Sequence, residues 1–284
     1  MKKNIVISTG TMMTLLLLAV TGCKTPRDEW TGRLNECEGN SDLARLDKCI
    51  YFGPSSAVGP GTVLAKTDSG YEILFRPSDA ETNSDTINKF IITGNTTNSC
   101  SENTASSWTF DPSLLVSSAA DTNANVSLTA ALSHSKSSSF TISDWELDSL
   151  DLGPYQIASK NWNLVYQNDL INSNSLLITQ AYRINGFTAT YQFDYTNAVQ
   201  LQAQYPPNTT LPLSKVLGGS AKVAWTGDKT NLLQLQMQGS FYVFGGVGRI
   251  FTGAGVTPYA SSWQVLDVNA DAKAPVSVNL AHTQ

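Results

Sequence analysis

Residues 187–205 read FTATYQFDYTNAVQLQAQY. Apolar side chains occupy the odd positions, from Phe187, Ala189, Tyr191 and Phe193 through Tyr195 and Val199 to Leu201, Ala203 and Tyr205, broken only by Asn197. Thr188, Thr190, Gln192, Thr196, Gln200, Gln202 and Gln204 fill the even positions together with Asp194 and Ala198. Such alternation marks a strand with one buried face, because successive side chains of an extended chain point to opposite sides. The run is far longer than an ordinary strand of about 5–6 residues. It reads as one unusually long strand, as two strands with a turn near Asp194–Asn197, or as a strand followed by a short helix over residues 197–204. Residues 232–244, LLQLQMQGSFYVF, repeat the pattern: Leu233, Leu235, Met237, Phe241 and Val243 alternate with Gln234, Gln236, Gln238 and Ser240.

Outward from these runs, strand patterns recur at residues 62–65, 71–75, 88–93, 126–132, 140–147, 162–166, 176–193 and 221–225, and few intervening segments leave room for a helix. Asp68-Ser69-Gly70 supplies a turn between the first two, which predicts a hairpin. Charged residues make up only 14% of the chain, whereas helical surfaces are normally rich in Lys and Glu. The expected fold is therefore all-β: an antiparallel, sandwich-like body with apolar inner faces and outer faces of Thr, Ser and Gln. Ahead of it, Asn40-Ser41-Asp42 offers a cap and Leu43, Leu46, Cys49 and Ile50 recur at helical spacing, so a short helix is expected before Gly53-Pro54.

Lys2 and Lys3 precede an apolar stretch from Ile5 to Val20, too short for a membrane-spanning helix of about 20 residues and read as a targeting segment. It closes on Val20-Thr21-Gly22-Cys23. Residues 1–24 resemble the signal of bacterial lipoprotein precursors, whose common pattern has Leu at the position of Val20 and Ala or Ser at that of Thr21. The resemblance implies cleavage before Cys23, lipid on Cys23, and a protein held on a membrane by acyl chains. Lys24, where inner-membrane members carry Asp, implies the outer membrane. The expected organisation is a signal peptide at 1–22, a lipidated tether with a short helix at 23–58, a β-rich segment at 59–110, a linker or long loop at 111–125, and a main β domain at 126–284.

Three further cysteines, Cys37, Cys49 and Cys100, would sit in an oxidising compartment. Cys37 and Cys49 bracket a short segment and are the expected disulfide, a staple for the N-terminal element. Their spacing is not that of a zinc site, and no metal or cofactor is expected. Removal of residues 1–22 takes two of the 18 basic residues and leaves 16 against 23 acidic ones. That balance provides no footprint for nucleic acid.

Chemistry-bearing motifs are sparse. Ser133-His134-Ser135-Lys136 has the S-x-x-K spacing without the K-T-G or S-D-N motifs that accompany it in penicillin-recognising enzymes, and reads as a turn. His134 and His282 are the only histidines, and His282 lies in the C-terminal tail. Asp144, Glu146, Asp148 and Asp151 read as a solvated strand edge that blocks unwanted pairing, with paired-carboxylate glycosidase chemistry as the alternative. Asp267, Asn269 and Asp271 begin a calcium-loop pattern that Ala272 and Val278 do not complete. Gly245-Gly246-Val247-Gly248 and Gly253-Ala254-Gly255 read as bends in strands and not as a phosphate loop. Tryptophans Trp145, Trp162, Trp225 and Trp263 read chiefly as core, with glycan stacking the lesser alternative.

The expected function is non-enzymatic: a lipoprotein of the outer membrane acting as a binding or structural component of the cell envelope or surface, with an envelope or surface protein as partner. The alternative is an oligomerising, membrane-perturbing or pore-forming β protein, its inserting segment within residues 176–205 or 232–250. Membrane strands alternate apolar outward with polar inward over about 10 residues, and the polar faces here carry Asp194 as their only charge.

Overall fold

The alternating runs at 187–192 and 232–238 lie side by side as antiparallel neighbours in a computed structural model that describes residues 30–32, 49–68, 70–94, 96–97, 132, 135–142, 145–212, 220–226, 231–251, 264–267 and 276–277. In chain order the elements are β1 (Ile50–Ser55), β2 (Val63–Thr67), β3 (Gly70–Phe75), α1 (Pro77–Ala80), α2 (Ser84–Asn88), β4 (Ile91–Ile92), β5 (Thr96–Thr97), β6 (Ser137–Ile142) and β7 (Trp145–Leu150). Then follow α3 (Leu152–Ser159), α4 (Leu164–Ile171), β8 (Ser175–Gln192), α5 (Tyr195–Gln204), β9 (Thr210–Pro212), β10 (Ser220–Thr226), β11 (Leu232–Phe251), β12 (Gln264–Asp267) and β13 (Val276–Ser277).

The described strands form one mainly antiparallel sheet, so the all-β expectation holds. They join a single hydrogen-bonded network, where a sandwich would divide them between two sheets. The reason lies in β8 and β11, of 18 and 20 residues. Each is long enough to take different partners along its length. β8 pairs with β2 near Leu177, with β7 from Gln180 to Ile184 and with β6 from Phe187 to Gln192. β11 takes β10 along its first half, then β1 and β12. The β2–β3 hairpin forms as the turn signal predicts; β13 against β3 is a parallel pair.

Local chemistry overrides the strand pattern in three places. Residues 162–166, expected as a strand, contain the start of α4, because the Asn163 side chain accepts from the Val165 N–H at 3.1 Å and caps a helix there. Asp151 caps α3 in the same way through the Gly153 N–H. Short apolar runs do not distinguish strand from buried helix by themselves; the caps decide. Conversely, Ile50 does not end a helix but opens β1, paired to β11 at Gly245.

The principal core gathers on one face of the long strands. Phe187, Ala189 and Tyr191 of β8 cluster with Leu233, Leu235 and Met237 of β11. Ala198 and Leu201 of α5 pack into the same cluster, as does Trp30, edge-on to Trp145 and Phe187 with centroids 6.0 and 5.8 Å apart. A second core fills the space beneath α3 and α4, where Tyr155, Trp162 and Leu170 meet Val63, Phe75 and Phe90.

Candidate functional site

A bend divides the β8–β11 pair. Met237 pairs with Phe187 and Ser240 with Asn185, so Gln238 and Gly239 together face the single residue Gly186. This two-against-one arrangement is a β-bulge. Gly186 has φ +85° and Gly239 φ +126°, values that disfavour other residues. A Cβ on Gly186 would also lie 2.8 Å from the Met237 carbonyl oxygen. The bulge shifts the phase of β8: Tyr182 and Ile184 face the principal core before it, Phe187, Ala189 and Tyr191 after it. The uncharged face of Thr188, Thr190, Gln234 and Gln236 lies on the far side of the sheet from that core, as the register requires.

Of the three readings for residues 187–205, the structure adopts strand followed by helix. The Asp194 carboxylate accepts from the Asn197 N–H at 2.8 Å and starts α5. The helix makes poor use of its apolar residues, since a period of two does not match one of 3.6. Ala198 and Leu201 are buried, whereas Tyr195 is 66% and Val199 46% exposed. At its far end the Trp225 indole N–H donates to the Tyr205 carbonyl at 2.9 Å.

Beside the bend sits a polar cluster, on the face away from Tyr182 and Ile184. Asp148, only 2% exposed, accepts from Arg183 Nε at 2.8 Å, from the Tyr242 hydroxyl at 2.8 Å and from the Gly94 N–H at 3.3 Å. The Arg183 guanidinium also pairs with Glu146, which accepts from the Asn185 amide at 2.6 Å. Ser240, across the bulge, donates to the Asn185 side-chain oxygen at 3.2 Å. One carboxylate thus joins β7, β8, β11 and the chain after β4. Burial works to lower the Arg183 pKa, but the hydrogen bond and charge of Asp148, with Glu146, outweigh it and raise the pKa overall. Burial first, and then the neighbouring Asp148 charge, push the Tyr242 hydroxyl far above the ordinary tyrosine value.

The acidic cluster is therefore no solvated edge: β7 is flanked by β8 on one side and by β4 and β5 on the other. Nor does it have the makings of a glycosidase pair, because both carboxylates are held by Arg183. Arg183 and Tyr242 were not singled out by any motif. A lone arginine in an otherwise apolar strand was the available signal.

Cys23, Cys37, Cys100, His134, Asp144 and His282 lie outside the described residues, as do Asn269, Asp271 and Gly253–Gly255. The Cys37–Cys49 expectation thus turns on a residue that is not described; Cys49 is buried in the principal core. Gly245 and Gly246 lie within β11, where the register shifts after Gly246, so they belong to a strand irregularity and not to a phosphate loop. Trp145 and Trp162 are buried and present no ring to a glycan. Among the described residues, no group of three or more His, Cys, Asp or Glu is placed to hold a metal ion, and no helix is long and apolar enough to cross a membrane.

No family model matches the chain, and no curated protein matches it. Among solved structures it is similar to a bacterial gasdermin from Bradyrhizobium tropiciagri, at 11% sequence identity and a TM-score of 0.41, over 84% of this chain and 96% of that one. A likeness of that size carries no argument about function, which rests on this chain's own residues.

Proposed function

We propose that this is a non-enzymatic, lipid-anchored protein of the outer membrane that perturbs a bilayer by inserting β structure drawn from β8, α5 and β11. The supporting observation is that the two-residue alternation continues through the ten residues that fold as α5. Drawn out as strand, residues 187–205 present Phe187, Tyr191, Phe193, Tyr195, Val199 and Leu201 on one face. Threonines and glutamines occupy the other, with Asp194 as the only charge. A membrane strand needs about 9–11 residues. Every backbone group must also find a partner within the bilayer, so strands survive there only in a closed barrel. Two long strands per chain do not close one; several copies would contribute to a common wall. Cys23 is the attachment point that the N-terminal signal implies, and more than one acyl chain makes such binding stable.

The test follows the period of side-chain burial. Single cysteines at positions 195–203, in a background with Cys37, Cys49 and Cys100 replaced by alanine, carry a fluorophore that brightens in lipid. Without vesicles the shielding is helical, with 198 and 201 protected. With vesicles the expected pattern has period two: odd positions enter lipid, even positions stay in water, and entrapped dye is released. A helical pattern that persists on vesicles, with no release at any protein-to-lipid ratio, sinks the proposal and leaves a binding or structural role in the envelope with a protein partner.

A further inference from the structure

The α3–α4 corner carries apolar surface that the fold does not use. Inward, the two helices are fully engaged: the Tyr155 and Trp162 rings meet edge-on at 5.0 Å, Phe75 and Phe90 pack against Trp162, and the Tyr155 hydroxyl donates to the Gly61 carbonyl at 2.8 Å. Outward, Ile157 is 67%, Leu164 54% and Val165 44% exposed. All three lie within a helical turn of the corner at Lys160–Asn163. Scattered single aliphatics on a surface need no explanation, but three at one corner do.

The charge pattern selects among occupants. Between Leu152 and Asn168 the single ionised side chain is Lys160, itself exposed, and the remaining exposed residues include Asn161, Asn163 and Asn168. Three aliphatics around a lone cation, without a carboxylate in the segment, suit an interface in which side chains enter the acyl boundary and an ammonium meets anionic headgroups. The corner is also held in shape. Buried Gln167 donates through its amide to the Lys160 carbonyl at 3.2 Å and to the Trp162 carbonyl at 2.7 Å, while Asn163 caps α4. It therefore presents its side chains with little ordering left to do on contact.

We propose that Ile157, Lys160, Leu164 and Val165 form a lipid-contact surface that docks the folded body on an anionic bilayer. The proposal deepens the membrane reading above by naming where the body touches lipid before any insertion, and it rests on that reading only for the presence of a membrane. It is tested on the full mature chain in two measurements. With Cys23→Ser, so that no acyl chain contributes, the protein is sedimented with phosphatidylcholine vesicles containing phosphatidylglycerol. The triple variant Ile157→Ser, Leu164→Ser, Val165→Ser is expected to lose about tenfold or more in partitioning. Lys160→Gln should weaken binding to the anionic vesicles and leave the weak binding to pure phosphatidylcholine unchanged. All four side chains are solvent-facing, so an unaltered thermal unfolding curve checks the fold. In the lipidated protein on membranes, a polarity-sensitive fluorophore on Asn161→Cys is expected to shift to the blue, and one on exposed Asn208→Cys to stay in water. Unchanged partitioning of the triple variant, or an Asn161 probe that remains in water, overturns the proposal and points to a protein occupant. The two ideas fail separately: docking that depends on this corner without dye release refutes insertion alone, and release with corner-independent binding refutes the corner alone.

Discussion

Asp148 shows how much one side chain can join. Its carboxylate is buried and accepts from Arg183, Tyr242 and Gly94, groups on three different parts of the chain. Removing one partner of a buried pair strands the other, at a cost that reaches about 3–5 kcal/mol, more than the pair itself contributes. Asp148→Ala is therefore expected to lower stability in urea by about 3 kcal/mol or somewhat less, since Glu146 still holds Arg183. The double variant with Arg183→Met should recover part of that loss. The tyrosines set a second expectation. Burial raises the hydroxyl pKa of both Tyr155 and Tyr242 in the folded protein, so each contributes stability that is complete below about pH 10, the ordinary tyrosine value, and is lost as pH rises from there toward the folded value. Urea titrations across pH 9–12 should show stability falling above about pH 10, with a shallower fall in Tyr155→Phe, Tyr242→Phe.

At the scale of elements, the informative case is α5. Its sequence favours a strand by periodicity, yet a capping aspartate and two buried contacts hold it as a helix. Residues that stabilise the helix without touching the core should shift this balance. Val199 and Thr196 are exposed and β-branched, and alanine at each favours helix by about 0.5 kcal/mol. The pair Thr196→Ala, Val199→Ala is expected to raise the melting temperature by a few degrees and to slow dye release several-fold. Equal or faster release would count against conversion of α5. The same element shows why periodicity alone was ambiguous: the alternation was plain, but the Asp194 cap and its fit onto Leu201 and the strand face depend on what packs against them. Residues 162–166 were misread for a related reason, since the Asn163 cap outweighed a short apolar run.

For the molecule as a whole, the relevant quantity is how close the body stays to the membrane. Trp30 is fully buried in the principal core, seven residues after Cys23, and an extended chain spans at most about 3.3–3.6 Å per residue. If Cys23 bears the lipid, the leash to Trp30 is at most roughly 25 Å. Residues 23–58 thus do not act as one long tether. Cys23→Ser is expected to abolish acyl labelling and to move the protein from membrane to soluble fractions of cells, without changing its unfolding midpoint. A loss of stability in that variant would mean that the lipid packs against the body.

The sequence by itself determined the elements whose signal is local: the all-β class, the β2–β3 hairpin with its Asp-Ser-Gly turn, the long alternations of β8 and β11, and the lipoprotein-like signal ending at Cys23 as an expectation. It left open whether residues 195–204 were strand or helix, and it took Glu146 and Asp148 for a solvated edge. Those outcomes were decided by tertiary structure, because a cap, a bulge opposite Gly186 and the burial of a carboxylate beside Arg183 each depend on groups distant in the chain. One sheet formed instead of two for the same reason: a strand of 18 or 20 residues can change partners along its length, and which partners it meets is settled only when the chain is folded.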